Sequence, residues 1–388
     1  MTEKIDIIIP AYKAHNTLLK TLLSIAVQQN ANNIKVTIIN DCCPEGDYQD
    51  IIKHVSDLID IQEIVLEKNS GPGVARQVGI DKTSNPYIMF VDADDLLAQP
   101  YAVVNLLKDL KSSDTGRICT GAFIEKAVIQ CPSEDITKQP EVIGIGDIPH
   151  SEDMTWCFGK IYERAFLEKY DIKFPPTRGN EDTAFNFMCT SIEKFKEPNS
   201  IIISDVFSYI WENSREGSIT RINEHQYMYD QSICGLIDGL IYTKNWLEKV
   251  QIDFKDVLLI YLSWFFMFYQ DYNIILSIPK LKSFEPQAWF YIKKYYWLVL
   301  HDVWDKLSLN EIQEAYQSRV ITEMSRAQGD LMPNIPVSIP MINIWEFVDK
   351  IKQEGYHPEE LRQILKNIPD DIKKANLKCG AVNQDYYN

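Results

Sequence analysis

The sequence predicts an α/β fold built on a parallel, doubly wound sheet, followed by a mainly α-helical C-terminal domain. Three observations carry this. Between residues 5 and 91, short apolar runs alternate with helical patterns in a β-α-β-α-β-α-β rhythm, which parallel crossovers produce. The run Ile88-Met89-Phe90-Val91 leads straight into Asp92-Ala93-Asp94-Asp95, an apolar strand covered on both faces that ends in carboxylates. From about residue 223 the pattern changes to aromatic-rich helical stretches.

The elements follow in order. Ile5 to Ile9 reads as the first strand, ended by Pro10, with Ala11-Tyr12-Lys13 as a turn. Asn16 or Thr17 caps a helix whose apolar positions Leu18, Leu19, Leu22, Leu23 and Ala26 share one face. Lys35 to Asp41 is a second strand, and Cys42 to Asp47 a turn into a helix reaching about Ile59. Ile64-Val65-Leu66 is a third strand. Asn69-Ser70-Gly71-Pro72-Gly73 breaks the chain before a helix over Val74 to Ile80, and Tyr87 to Val91 is the fourth strand. Arg117 to Glu125, Val142 to Ile145, Trp156 to Tyr162, Ile201 to Ile203 and Val206 to Trp211 also read as strands, with Cys131 to Pro140 a surface loop.

Composition narrows the function. With 388 residues, 45% of them hydrophobic, the chain can bury two or more domains. A net charge of −16 argues against tight nonspecific duplex binding. The eight cysteines include no C-x-x-C pair. Adjacent Cys42 and Cys43 suit neither a disulfide framework nor a zinc site, so reduced thiols and a cytoplasmic setting are expected. Met1-Thr2-Glu3-Lys4 runs directly into a strand, without a signal-peptide pattern. The longest apolar stretch, Val257 to Gln270, is short of the ~20 residues that span a bilayer and reads as a buried helix.

Ligands of parallel sheets bind at the carboxyl ends of the strands. Four polar points share that edge: Pro10-Ala11-Tyr12, Asp41, Asn69 to Arg76, and Asp92-Ala93-Asp94. Tyr12 could stack on a base, and Asp41 could accept from a nucleobase N–H. Gly71 and Gly73 would let the backbone approach a ligand. Arg76 could meet a phosphate or an aspartate. Asp92 and Asp94 can hold a hard divalent cation, and through it a diphosphate. Asp-rich strand ends are also turn and N-cap material. An EF-hand is excluded, because Leu96 stands where Asp or Asn is needed. Neither G-x-G-x-x-G nor a P-loop follows the first strand. Farther on, Glu181-Asp182 stands where a loop enters a helix, which suits an acidic cap as well as a catalytic pair.

Residues 7–13 (Ile-Ile-Ile-Pro-Ala-Tyr-Lys), Asn40-Asp41, residues 69–77 and residues 90–95 together resemble the family 2 glycosyltransferases of GT-A fold. The resemblance covers about residues 1–222. It implies a Rossmann-like mixed sheet that binds a nucleotide sugar, and an inverting transfer from a nucleotide-diphosphate donor, a UDP-sugar before others, to an acceptor hydroxyl. It implies Mn²⁺ or Mg²⁺ at Asp94 and Asp92, and a nucleoside pocket lined by Pro10, Ala11, Tyr12 and Asp41, with Gly71, Arg76 and Ala93 on the donor side. It makes Asp182 the general base, with Glu181 orienting the acceptor or the base. Arg215, Ser218 and Thr220 would bind the leaving diphosphate from a closing loop.

The resemblance leaves the acceptor open among a glycan, teichoic acid, a protein and modified nucleic acid. It sets the domain boundary at 222/223; the three prolines of Met332 to Pro340 read as a linker that divides the second domain near 332–340. The helical block 223–388 could serve as an acceptor platform, a homo-oligomer contact, or a peripheral dock at the inner membrane face. A catalytically inert nucleotide-sugar-binding scaffold of the same fold is the alternative, and the presence of both Asp94 and Asp182 counts against it. A nucleotidyltransferase would need a Gly-rich loop where Pro10 to Ala14 has no glycine.

Overall fold

The computed structural model describes residues 3–131, 141–150, 154–177, 179–214, 233–277, 279–329 and 344–367. These fall into two compact units, one within 1–128 and 144–218, the other within 129–143 and 219–382.

The first unit is a nine-stranded mixed sheet. Its strands are β1 (Ile5–Ala11), β2 (Ile34–Asn40), β3 (Asp60–Val65), β4 (Tyr87–Phe90), β5 (Leu96–Leu97), β6 (Ile118–Cys131), β7 (Glu141–His150), β8 (Lys160–Glu163) and β9 (Ile201–Trp211). They run in the order β3-β2-β1-β4-β8-β6-β9-β5, with β7 on β6. The first four are parallel, so β1, β2 and β4 end at one edge. Beyond β4 the sheet turns mixed: β8 is antiparallel to both β4 and β6, whereas β9 is parallel to β6. The helices are α1 (Leu18–Ala26), α2 (Gln49–Ile52), α3 (Pro72–Lys82), α4 (Ala102–Leu110), α5 (Arg164–Lys169) and α6 (Glu181–Phe195).

Several expectations shift. The helix expected up to Ile59 stops at Ile52, and the chain reaches β3 through successive turns. Val55 and Ile59 are nevertheless buried, so apolar periodicity survived where the regular helix did not. On α1 the buried face is Leu18, Thr21, Leu22 and Ile25, and Leu23 is exposed. Ile201–Ile203 and Val206–Trp211 are one strand whose register against β6 shifts around Gly121–Phe123. The Cys131–Pro140 loop falls outside the described residues, apart from Cys131 at the end of β6.

Asp6 interrupts the apolar β1 but is not an orphan. Its carboxylate accepts from the Asn85 backbone and side chain (2.8 and 2.7 Å) and from Arg164 at 3.1 Å. Arg164 also caps the end of α3 through the Ile80 carbonyl and the Thr83 hydroxyl, both at 2.7 Å. A buried pair with further hydrogen bonds on both members avoids the cost of an isolated charge. This fixes the amino edge and leaves the carboxyl edge for chemistry.

The α3 helix lies very close to β1. A Cβ at Gly79 would sit 2.3 Å from Cγ2 of Ile8. Gly79→Ala is therefore expected to destabilise the domain by about 1–3 kcal/mol, despite alanine's better helix propensity. A urea midpoint at or above the wild-type value would contradict this packing.

Apart from the ends of β6 and β7, the second unit is helical in its described part. Its helices are Cys234–Lys249, Phe254–Ser277, Glu285–Tyr295, Leu309–Gly329, Ile344–Glu354 and Glu360–Asn367, with a π-turn at Tyr296–Leu300 running into His301–Trp304. The aromatic stripes are core: Tyr261, Phe265, Phe268, Tyr295 and Tyr296 are fully buried. Phe347 packs on Tyr269, Tyr272 and Trp289. Lys293, buried at 3% exposure, is paired with Glu360 at 2.9 Å and Glu354 at 3.4 Å. No helix among the described residues is long and apolar enough to cross a membrane. The expected break at 332–340 lies outside the described residues.

Candidate active site

The parallel register delivers the predicted residues to one edge. Ala11 pairs with Asn40 and Ile8 with Phe90, so Tyr12, Asp41 and Asp92 follow directly on three neighbouring strand ends. Pro10 is partly exposed and Ala11 buried. Tyr12 is half-buried, with the Lys13 ammonium 5.3 Å from its ring centre.

Asp41 is buried and organises the next loop. Its two oxygens accept the backbone N–H groups of Ser70 (2.7 Å) and Gly71 (2.8 Å). Gly71 precedes α3 at φ +88°, a conformation that favours glycine. Gly73 has a different reason from the one expected. A Cβ there would lie 2.9 Å from Glu181 Cβ and 3.0 Å from the Pro175 carbonyl oxygen. The missing side chain admits the start of α6, not a ligand.

That close approach lets Arg76 reach two carboxylates from sequence-distant segments. Its guanidinium donates to Asp92 Oδ1 and to Glu181 Oε1, both at 2.6 Å. Of the phosphate and the aspartate expected for Arg76, the structure shows the aspartate: Arg76 is 5% exposed and ties Asp92 to the α6 pair. Its Nε has no hydrogen-bond partner among the described residues. Burial opposes its charge, but the carboxylates of Asp92, Glu181 and Asp182 around it hold the guanidinium protonated. Next to it, the Gln77 side chain accepts the Phe174 N–H at 3.0 Å and secures the loop that leads to α6.

Glu181 is buried and Asp182 partly exposed at the α6 N-terminus. Asn180 before them is left-handed at φ 55° and makes no side-chain cap. Asp182 Oδ1 accepts the Thr183 N–H at 2.9 Å. Burial and the neighbouring Glu181 push the Asp182 carboxyl up to about 7, against the pull of Arg76. A carboxylate poised near neutrality can both take and hold a proton.

The three aspartates after β4 divide their work. Asp92 and Asp94 are partly exposed, Ala93 is buried, and Asp95 is turned inward. Asp95 accepts the Tyr209 O–H at 2.8 Å and the Glu212 N–H at 2.8 Å, while the Tyr209 oxygen accepts the Asp92 N–H at 3.0 Å. Burial and the adjacent Asp94 and Asp92 raise the Asp95 carboxyl well above the usual range. Tyr209 thus locks the strand end from β9, a role with no signal in the local sequence. Asp92 and Asp94, both partly exposed, carry hard carboxylate oxygens, the donor type that Mn²⁺ or Mg²⁺ takes.

Two further features were not legible. Cys157, 1% exposed, lies beside Arg76, and its thiol is pushed up by burial. Half-buried Trp156 and Trp211 meet at 5.2 Å between ring centres, and Phe158 stacks on Tyr209 at 4.4 Å. Lys160 is 2% exposed and donates to the Phe158 carbonyl at 3.3 Å. Arg215, Ser218 and Thr220 lie outside the described residues.

Residues 6–170 match the family model described as Glycosyl transferase family 2. This part of the chain belongs to that family. The glycosyltransferase GlyA of Streptococcus pneumoniae is 33% identical over 99 residues, 26% of this chain and 14% of GlyA. The poly(ribitol-phosphate) β-N-acetylglucosaminyltransferase TarS of Staphylococcus aureus is 26% identical over 223 residues, 55% of this chain and 36% of TarS. The chain therefore matches well under two thirds of either relative's length. The crystal structure of S. aureus TarS superposes with a TM-score of 0.57 at 17% identity, covering 84% of this chain and 53% of that one. The 1–349 fragment of TarS in complex with UDP-GlcNAc gives 0.55 at 17% identity, covering 86% and 94%. The fold is GT-A with a helical C-terminal region.

Proposed function

We propose that the family 2 domain, assigned to residues 1–222, is an inverting glycosyltransferase that moves a sugar from a UDP-sugar to an acceptor hydroxyl. The observation that carries this is Arg76, whose one guanidinium holds both Asp92 and Glu181. It couples the diphosphate edge to the carboxylate pair at the head of α6.

In this reading Tyr12 and Asp41 line the nucleoside pocket. Asp94 and Asp92 would hold Mn²⁺ or Mg²⁺, which when bound supplies charge neutralisation for the leaving diphosphate. Asp182, ionised above its pKa, takes the proton from the acceptor hydroxyl as that oxygen attacks the anomeric carbon. Attack from the face opposite the leaving group inverts the configuration. Glu181 does not touch the acceptor: it is committed to Arg76 and raises the proton affinity of Asp182. The likeness to TarS favours a polyol-phosphate polymer of teichoic-acid type as acceptor.

Thermal unfolding against a panel of UDP-sugars, with and without Mn²⁺, tests the donor half. A ligand bound by the native state alone stabilises it by about 2.7 kcal/mol at a hundredfold excess over Kd. Asp94→Ala is expected to abolish the Mn²⁺-dependent part of the shift and leave the protein folded. An unchanged metal dependence in that variant would remove Asp94 from the metal shell.

A further inference from the structure

Asp94 and Asp92 present only hard oxygens, but the loops beside the nucleoside edge gather a softer set. His15 Nδ1 lies 3.1 Å from Glu45 Oε2 and 4.0 Å from Cys43 Sγ. The three ligand atoms lie within 4.8 Å of one another, the one such His/Cys/carboxylate group among the described residues. We propose that His15, Cys43 and Glu45 form a Zn²⁺ site that staples the loop after β1 to the loop after β2.

The imidazole is set up for this. His15 Nε2 is 2.9 Å from the Asp47 carbonyl oxygen, which can only accept, so Nε2 carries the proton. A neutral ring then turns the Nδ1 lone pair towards the Glu45 carboxylate, two acceptors face to face. A cation between them resolves the repulsion. Donation of the remote N–H to a carbonyl is also how metal-bound histidines are oriented. The ring is held against Tyr48, centroids 4.5 Å apart, and the Tyr48 hydroxyl accepts the Ala14 N–H at 3.2 Å. Cys43, 9% exposed, accepts the Lys13 N–H on its Sγ at 3.4 Å, which fixes the sulfur beside the ring.

The spacings fit tetrahedral zinc. With Zn–N and Zn–O near 2.0–2.2 Å and Zn–S near 2.3 Å, tetrahedral angles place N and O roughly 3.3 Å apart and N and S roughly 3.6 Å apart. The observed N–O and N–S separations differ from these by a few tenths of an ångström, and the O–S separation, within 4.8 Å, is the one that exposed Glu45 would close on binding. Glu45 comes from the same turn as Cys43, and three protein ligands leave the fourth position for water. Cys42 is no competitor: its Sγ is directed to the Glu67 carbonyl at 3.6 Å.

The test is a Co²⁺ titration of the chelator-stripped full chain, read by the thiolate-to-cobalt charge-transfer band. The hard-oxygen edge at Asp94 cannot produce that band, so the result stands apart from the donor experiment. The expected result is a saturable, stoichiometric band that Zn²⁺ displaces. It should persist in Cys42→Ser and vanish in Cys43→Ser. Exposed Glu45→Gln, which leaves the fold intact, should weaken the site by at least roughly tenfold. No band in the wild type, or a band that survives Cys43→Ser, overturns the proposal and leaves an imidazolium–carboxylate pair.

Discussion

Asp182→Asn is expected to lose about 10²–10⁴-fold in transfer rate while still binding the UDP-sugar. Asparagine keeps the size and the contact with the Thr183 N–H but cannot take a proton. The carboxyl of Asp182 is pushed up to about 7 by partial withdrawal from water and by the neighbouring Glu181. The sign of the pH effect follows. The base must be ionised, so kcat/KM should rise with pH through about 7 and level off above it. The variant's residual rate should lack that limb. Undiminished turnover, or an identical limb in the variant, would remove Asp182 from the role.

Arg76→Met should destabilise the domain by about 3–5 kcal/mol, since it leaves Asp92 and Glu181 facing each other with no cation between them. The loss belongs to the stranded carboxylates more than to the pair itself. Arg76→Met combined with Glu181→Met should therefore recover part of it. Arg76→Lys keeps the charge but replaces a planar fork with a single ammonium, and should still lose activity. Denaturant midpoints measure the first two, and the transfer rate measures the third. A single variant within about 1 kcal/mol of wild type would mean that the bridge does not hold the site together.

The strand rhythm and the carboxyl-edge residues were legible because both rest on local pattern. The apolar run to Val91 and the aspartates behind it place themselves. What the sequence could not convey depends on distant partners. Three aspartates in four positions look alike, and only Tyr209, 114 residues from Asp95, decides which turns inward. Arg76 meets Glu181 across 105 residues, so its bridging role had no local signal. Gly73 read as room for a ligand because the helix that fills that room arrives so much later. The same holds for Cys43, whose neighbour Cys42 suggested nothing, while His15 comes from another loop. The truncation of α2 at Ile52 is a local failure, where turns replaced the helix without disturbing its buried apolar positions.

The most direct measurement is release of UDP from a panel of UDP-sugars by the wild-type chain with Mn²⁺, first with water as the only acceptor and then with a poly(ribitol-phosphate) acceptor. The account predicts metal-dependent release from a preferred donor, faster with the polymer. A UDP-sugar that binds and stabilises the protein, yet releases no UDP under either condition, would contradict a transferase and leave a nucleotide-sugar-binding scaffold.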